Sequence, residues 1–226
     1  GTSISNIDFS RFSKIGNYAF KSCLSLTEVS IPAITNISVL KSLGEGVFSD
    51  CGYLTDVTLG NSAVSKYMFK NCLLLENVNL YDVTTVIPEG MFYGCKSLKY
   101  DSSSNKDATW NGKGVNIDDD TTLIQPYAFY GCSSLTGFEI TTALTTIQTR
   151  AFNNCVKFDS LIIPDTVTTI EANVWNGCNE EIFCFYVFAP ESEWSSGWVN
   201  NWNCDFPVYL LGQADESIYE FVYVPE

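Results

Sequence analysis

The sequence contains no histidine, and its 12 lysines and arginines are outnumbered by 26 aspartates and glutamates. Without histidine, the imidazole base that activates serine and cysteine nucleophiles in many hydrolases is missing. A Gly-x-Ser-x-Gly motif and a phosphate-cradling glycine loop are absent as well. Carboxylates are plentiful enough for paired acid-base chemistry, but no spacing singles out a pair. We therefore expect a protein without enzymatic activity and without a cofactor.

The formal net charge of −14 excludes a further set of partners. An acidic chain without a basic patch is repelled by phosphate groups, so nucleic acids and anionic membrane surfaces are poor partners. No apolar run approaches the roughly 20 residues that a membrane helix needs, and no signal peptide begins at Gly1. We expect no membrane insertion of this segment, an expectation that is compatible with export.

What the sequence does contain is a repeat built around Phe-x-x-Cys, with Trp replacing Phe in the last copy. The cysteines at 72 and 95, at 132 and 155, and at 155 and 178 are each separated by 23 residues, and a period in the twenties predicts a solenoid. The step from 95 to 132 is 37, which is one period plus 14 inserted residues. The seven copies are Phe20-x-x-Cys23, Phe48-x-x-Cys51, Phe69-x-x-Cys72, Phe92-x-x-Cys95, Phe129-x-x-Cys132, Phe152-x-x-Cys155 and Trp175-x-x-Cys178.

A second pattern follows most of these cysteines: a leucine, then two hydrophobic residues that alternate with polar ones, as in Leu26-x-x-Val29-x-Ile31. Alternation of aliphatic residues predicts a short strand with one buried face. Pro32 and Pro164 would end such strands, because proline lacks a ladder donor. The Ile-x-x-x-Ala-Phe-x-x-Cys half of the unit has the spacing of one or two turns of α- or 3₁₀-helix.

One such coil cannot bury its own apolar face, whereas stacked copies place Leu on Leu, Phe on Phe and Cys on Cys in continuous columns. The unit Ile-x-x-x-Ala-Phe-x-x-Cys-x-x-Leu-x-x-Val-x-Ile-Pro resembles the leucine-rich repeats of the BspA-like family of surface proteins, over roughly residues 4 to 190. The resemblance implies an α/β solenoid, a right-handed superhelix with a parallel sheet on its concave face and short α- or 3₁₀-helical turns on its convex face. It also implies an exported or surface-displayed protein that acts in adhesion and protein binding, and it supplies no catalytic residues.

Seven of the nine cysteines occupy one repeat position, which favours a buried column over a disulfide framework. Cysteine is often buried and packs as a small hydrophobe, and side chains of stacked parallel coils point the same way, a poor geometry for bridging. With no Cys-x-x-Cys pair and no histidine, a zinc site is not expected, and we predict no metal. Cys184 and Cys204 lie outside the column and are the two that could pair.

The 14-residue insertion carries a hairpin signal. Asn111-Gly112 lies between β-favouring residues at 109–110 and 115–117. Insertions in solenoids form loops, often on the binding face. We predict a protruding hairpin at about 104–117 with Trp110 at its tip as a partner contact. The alternative is a variable surface loop.

The two ends depart from the repeat, so the domains are predicted as a solenoid over residues 1–190 and a C-terminal cap over 191–226. Ile4, Ile7 and Phe9 fit the strand half of a repeat whose other half is missing, which favours further repeats before Gly1. At the other end, tryptophans at 194, 198 and 202 replace the repeat, and large aromatic side chains would cover the last coil. A tryptophan platform that stacks on sugar rings is the alternative.

The solvent-facing strand positions form the predicted binding face, which is acidic toward the N-terminus and suits a basic or mixed protein surface. We expect a cell-surface or secreted module that binds a protein of a host or neighbouring cell through this concave face and the hairpin. Carbohydrate binding through Trp110 or the C-terminal tryptophans is the alternative, with a glycan as partner. The predicted contact residues are Glu28, Ser30, Asp56, Thr58, Asn77, Asn79, Trp110, Glu139, Ser160 and Tyr186.

Overall fold

A computed structural model describes residues 4–31, 42–60, 64–80, 84–100, 114–138, 140–179, 184–187, 197–198, 202, 208–210 and 222–223. For residues 160, 184, 186, 197, 208–210 and 222–223 we describe the backbone alone. Within these ranges the chain forms thirteen short strands and one 3₁₀ turn, Phe9–Arg11. The strands are β1 (Glu28–Ile31), β2 (Asp56–Leu59), β3 (Asn77–Asn79), β4 (Val86–Ile87), β5 (Val115–Asn116), β6 (Leu123–Ile124), β7 (Thr146–Ile147), β8 (Ser160–Ile163), β9 (Thr169–Ile170), β10 (Cys184–Val187), β11 (Gly197–Trp198), β12 (Val208–Leu210) and β13 (Val222–Tyr223).

The described strands pair into three sheets, each built from successive coils. The first sheet has the order β1-β2-β3-β5 and the second the order β4-β6-β7-β9-β11, and every pair in both is parallel. The third sheet, β8-β10-β12-β13, is parallel except for its last pair. Parallel strands paired coil by coil confirm the predicted solenoid.

The first sheet has the alternation that its sequence predicts. In β1, Val29 and Ile31 are buried while Glu28 and Ser30 are exposed, and β2 repeats the same pattern. A side-chain period of two puts one face of this sheet in the core and the other in solvent. In the third sheet, β8 ends at the residue before Pro164, as the missing N–H of proline predicts.

Phenylalanine rings form a continuous column through the core. Adjacent rings stack with centroids 5.2 to 5.9 Å apart, and their planes differ by 19° or less. Trp175 occupies the aromatic position of the seventh coil and contacts Phe185 and Trp202 edge to face. Burying one aromatic side chain per coil supplies a large share of the hydrophobic stabilisation. The stacked rings are Phe20, Phe48, Phe69, Phe92, Phe129 and Phe152.

The cysteines of the repeat form a second column, and all seven are buried free thiols, as predicted. Each thiol from the second coil onward donates a hydrogen bond to the phenylalanine carbonyl of the preceding coil. The Sγ of Cys95, for example, lies 3.0 Å from the carbonyl oxygen of Phe69, and the Sγ of Cys155 lies 3.2 Å from that of Phe129. Cysteine is therefore a buried donor between coils as well as a small apolar side chain.

The Phe-x-x-Cys half of the unit is not helical, which corrects the predicted α- or 3₁₀-turns. In the first coil, the N–H groups of Tyr18, Phe20 and Ser22 donate to carbonyls of the second coil over 2.8 to 2.9 Å. The N–H groups of Lys21 and Cys23, which follow Phe20 and Ser22, donate instead to carbonyls of their own coil. The following coils repeat this alternation. The result is a stack of turns joined by a ladder of hydrogen bonds, which we call the turn side.

Positive φ angles at two positions of each turn produce this ladder. They fall two residues before and two residues after the phenylalanine, as at Tyr67 (φ 53°) and Asn71 (φ 58°) in the third coil and at Gly90 (φ 58°) and Gly94 (φ 73°) in the fourth. A left-handed residue cannot continue a right-handed helix, so the N–H groups point alternately along the stack. Glycine, asparagine, aspartate or serine occupies most of these positions, and glycine, asparagine and aspartate tolerate this conformation best.

The isoleucine that precedes the turn in the fourth to seventh coils belongs to the second sheet, which the sequence analysis did not predict. Ile87, Ile124, Ile147 and Ile170 are fully buried and pair in register along this sheet. Just before these strands, threonine hydroxyls donate to carbonyls of the preceding coil, as from Thr145 to Thr122 over 3.1 Å. The solenoid is thus hydrogen-bonded between coils along the turn side as well as the sheets.

The N-terminal segment is not the strand that Ile4, Ile7 and Phe9 predict. Residues 4–8 form no regular element, and Phe9 begins the 3₁₀ turn, with the Asp8 carboxylate accepting from the N–H of Ser10. The Phe9 side chain is buried and packs edge-on against Phe20, with ring centroids 6.4 Å apart. The burial that the alternation predicts is kept, because Ile7 is half-buried, Asp8 is exposed and Phe9 is buried, but residues 4–8 form no strand.

Candidate functional site

The solvent side of the first sheet carries two rows of polar side chains. Parallel register aligns equivalent residues of successive strands, so each row runs along the stack. The first row is Glu28, Asp56 and Asn77, and the second is Ser30, Thr58, Asn79 and Asn116. We call these seven residues the polar sheet face. The structure brings six of the predicted contact residues together here and extends the second row with Asn116, whose side chain is buried.

Within each row, side-chain amides connect one strand to the next. Asn77 donates from Nδ2 to Asp56 Oδ1 over 2.8 Å, and its own Oδ1 accepts from the N–H of Gly114 at 2.9 Å. Asn116 donates in the same way to Asn79 Oδ1 over 3.0 Å. Because these hydrogen bonds restrict the rotamers before any partner arrives, the ordering cost of binding is lowered.

A depression with a volume of about 190 Å³ lies at the β1 end of the polar sheet face. Glu28 and Asp56 border it, and its wall also contains Asn6, Ile7, Phe9, Val29, Ser30 and Thr58. The ion pairs formed among the described residues are Lys21–Asp50, Lys66–Glu89 and Lys99–Glu76, and they include neither carboxylate of the depression. The depression is therefore negative and open to solvent.

The other predicted contact residues do not join this face. Trp110 and Glu139 lie outside the described residues. Backbone register places Ser160 and Tyr186 in the third sheet, where residue 160 pairs with 184 and residue 186 with 162. Asn116 belongs to the predicted return strand of the hairpin, and in the structure its strand β5 pairs in parallel with β3. The rest of the predicted hairpin, residues 104–113, falls outside the described part of the chain.

The C-terminal tryptophans that the structure describes are packed into the last coils. Trp202 is 5% exposed, and its ring lies 4.6 Å from that of Trp198 and 4.9 Å from that of Phe185. The indole N–H of Trp198 donates to the carbonyl of Val167 over 2.9 Å. Trp202 therefore offers no open ring face on which a sugar could stack. Trp194, Trp110 and Cys204 lie outside the described residues.

The buried thiols are not reactive groups. Burial raises the pKa of Cys51 to about 11 and raises the pKa of Cys95 and Cys132 still further above the ordinary value. A neutral thiol is a poor nucleophile and a poor metal ligand. Among the described residues, no three cysteine or carboxylate side chains meet as a metal ion would require, and no helix is long and apolar enough to span a membrane.

The turn side carries an aromatic and cationic cluster that sequence reasoning missed. The Lys70 ammonium lies 5.4 Å from the ring centroid of Tyr67 and 5.1 Å from that of Tyr93, and Tyr93 stacks on Tyr130 at 4.6 Å. The Tyr67 hydroxyl donates to Glu89 over 2.7 Å. Hydrogen bonds from Lys66 and then from Tyr67 lower the pKa of the Glu89 carboxyl. These contacts join neighbouring coils, and we assign the cluster to stability.

Stacked parallel coils with aliphatic, phenylalanine and thiol columns define a leucine-rich-repeat solenoid. The chain belongs to the family of the BspA type leucine rich repeat region, whose family model matches six copies over residues 13–109 and 107–182. The sequence pattern identifies seven units, because it includes the tryptophan-containing copy around Cys178. No curated protein matches the chain.

Two solved structures share the fold. A leucine-rich repeat protein from Bacteroides ovatus ATCC 8483 is 22% identical, with a TM-score of 0.64 over 83% of this chain and 45% of that protein. A leucine rich cell surface protein from Faecalibacterium prausnitzii A2-165 is 19% identical, with a TM-score of 0.55 over 80% of this chain and 53% of that protein. The chain thus spans about half the length of each.

Proposed function

We propose that this chain is a non-catalytic protein-binding module of an exported or cell-surface protein, and that its polar sheet face binds a basic protein surface. The family and the surface protein from Faecalibacterium prausnitzii support the location. Adhesion to a protein of a host or neighbouring cell is the role that this location favours. The missing histidine and the neutral buried thiols support a role without catalysis.

One observation carries the proposal: the carboxylates of Glu28 and Asp56 stand side by side on a solvent-facing, hydrogen-bonded sheet and border the depression. A lysine or arginine side chain of a partner would gain two charge-assisted hydrogen bonds there. The net charge of −14 would attract a basic partner over a longer range and speed its association.

The test is binding of the purified chain to a panel of basic extracellular proteins, measured by surface plasmon resonance at two salt concentrations. Exchanging both carboxylates for amides, Glu28→Gln with Asp56→Asn, removes the charge and preserves the shape. We expect this variant to associate about tenfold more slowly with each partner that the wild type binds, and salt to slow the wild type more than the variant.

A matched control changes the net charge equally at another place. Asp120→Asn with Asp165→Asn neutralises two exposed carboxylates that lie outside the strands of the first sheet. We expect this control to bind nearly as the wild type does. Equal losses in the two variants would mean that net charge alone drives association, and no loss in the first variant would remove the polar sheet face from the interaction.

A further inference from the structure

A second exposed surface lies beside the polar sheet face, and it is apolar. The two residues after each repeat cysteine form a turn, and in the first three coils this turn carries large hydrophobic side chains that are about half exposed. They are Leu24 at 50%, Tyr53 at 57%, Leu73 at 44% and Leu74 at 44%. We call these four residues the apolar patch.

The repeat itself shows that folding does not require apolar residues in this turn. The equivalent residues of the next two coils are Lys96 and Ser97, then Ser133 and Ser134. Those coils keep the same backbone hydrogen bonds, including the one from the N–H of the residue directly after the turn to the cysteine carbonyl, as from Leu98 to Cys95. Single exposed hydrophobic residues are common, whereas a group on adjacent coils indicates an interaction site.

The apolar patch adjoins the acidic end of the polar sheet face. Leu24 lies four residues before Glu28, and Tyr53 lies three residues before Asp56, so each turn leads directly into a strand of the first sheet. Adjacent coils are hydrogen-bonded here through the N–H of Thr55 and the carbonyl of Thr27 at 2.8 Å. An exposed carboxylate and an exposed hydrophobic side chain thus lie three or four residues apart on each of the first two coils, with Leu73 and Leu74 on the third.

We infer that this combined surface binds an amphipathic segment of a protein partner, whose basic side chains reach Glu28 and Asp56 while its apolar side chains cover the apolar patch. The inference rests on the proposed function and names the chemistry of its partner. A second copy of this chain fits less well, because two chains that each carry a charge of −14 repel one another. Four half-exposed side chains also present only a few hundred Å², less than the roughly 800 Å² per partner of a stable interface.

The experiment uses two short synthetic peptides, one alternating lysine with leucine and one alternating lysine with serine, and measures their binding by fluorescence anisotropy. The patch variant combines Leu24→Ser, Tyr53→Ser, Leu73→Ser and Leu74→Ser, which introduces a residue that other coils carry in this turn. Val156→Ser is the matched control, because Val156 is 46% exposed in the same turn of a distant coil. Circular dichroism and thermal unfolding check that each variant is folded.

We expect the wild type to bind the lysine-leucine peptide about tenfold more tightly than the lysine-serine peptide, and the patch variant to lose most of that difference. Val156→Ser is expected to keep it. Equal binding of the leucine peptide by the wild type and the patch variant would overturn the inference, as would no binding by the wild type. So would sedimentation showing a wild-type dimer that the patch variant does not form.

The Glu28→Gln and Asp56→Asn variant separates this inference from the proposed function. If it loses both peptides while the patch variant loses neither, the polar sheet face binds basic segments without the apolar patch, and the inference alone fails. If neither variant changes the binding of either peptide, both ideas fail.

Discussion

The turn side and the polar sheet face are built from the same coils, yet they use their side chains in opposite ways. On the turn side, each coil repeats an aromatic residue and a thiol at fixed positions, and all seven thiols are buried. On the polar sheet face, one row changes from Glu28 to Asp56 to Asn77 along the stack. Folding therefore restricts which residues can occupy the turn side, whereas the polar sheet face accepts different polar residues from coil to coil. Substitutions should therefore reduce stability on the turn side and reduce binding on the sheet face.

The largest expected effect is loss of stability at alkaline pH, because several buried thiols contribute at once. The folded chain holds these protons more tightly than the unfolded chain, in which a cysteine has a pKa of about 8.5. Below that pH both states are protonated and stability is complete. As pH rises toward the folded pKa of Cys51, about 11, only the unfolded state gains by ionising, so the free energy of unfolding falls. Urea unfolding between pH 7 and pH 11 measures the decline.

Cys51→Ala provides the control for alkaline unfolding. This variant loses the hydrogen bond from the Cys51 thiol to the Phe20 carbonyl and is expected to be less stable at every pH. Its stability should nevertheless fall less steeply with pH than that of the wild type, because one fewer thiol is protected. A stability that stays constant up to pH 11 would contradict the burial of the thiol column.

The next largest loss of stability is expected when one ring is removed from the middle of the phenylalanine column. Phe92 is fully buried between Phe69 and Phe129, so Phe92→Ala leaves a cavity and is expected to lower the free energy of unfolding by about 3–5 kcal/mol. Tyr53→Ala removes an exposed ring and should change it by less than about 1 kcal/mol. Urea titration of both variants makes the comparison, and similar losses would show that the column has no special role.

A smaller effect comes from the left-handed positions of the turn side. A Cβ added at Gly90 would lie 2.1 Å from the Tyr67 ring, and the residue has a φ of +58°, so Gly90→Ala is expected to cost about 1–3 kcal/mol. Gly52→Ala is the control, because no atom lies within 4 Å of its added Cβ. In thermal unfolding, the melting temperature of Gly90→Ala should be lower than that of the wild type, and the melting temperature of Gly52→Ala should equal or slightly exceed it. Equal melting temperatures for the two variants would argue against the strain.

The sequence predicted the columns well because spacing alone determines which side chains stack. It did not predict the turn-side ladder, although a signal exists: the position two residues after the aromatic residue holds Ser22, Asp50, Asn71, Gly94 or their equivalents. The other left-handed position is harder to recognise, because Tyr67 adopts φ 53° there against the usual preference of tyrosine. Its ring packs over Gly90 of the next coil, a tertiary contact that local propensity does not contain.

The candidate site was predictable where the repeat is regular. Alternation in β1 and β2 identified Glu28 and Asp56 as solvent-facing. Asn116 was not predicted, because the insertion separates it from the cysteine of its coil. The fixed spacing of the repeat therefore could not assign its position in the sheet. The apolar patch was not predicted for another reason. Hydrophobic residues next to a repeat signature suggest buried core positions, and only the structure shows that these four side chains are about half exposed.

The smallest expected effect is on the stability of the polar sheet face itself. Glu28→Gln with Asp56→Asn should change the free energy of unfolding by no more than about 0.5 kcal/mol, because both side chains are exposed and neither takes part in the ion pairs of the described residues. The amide oxygen introduced at position 56 can still accept from Asn77. A stability loss of more than about 1 kcal/mol in urea would place this face within the scaffold, and weaker binding by the variant would then reflect partial unfolding. If stability is unchanged, a loss of binding can be assigned to the two substituted side chains, because folding does not depend on their charge.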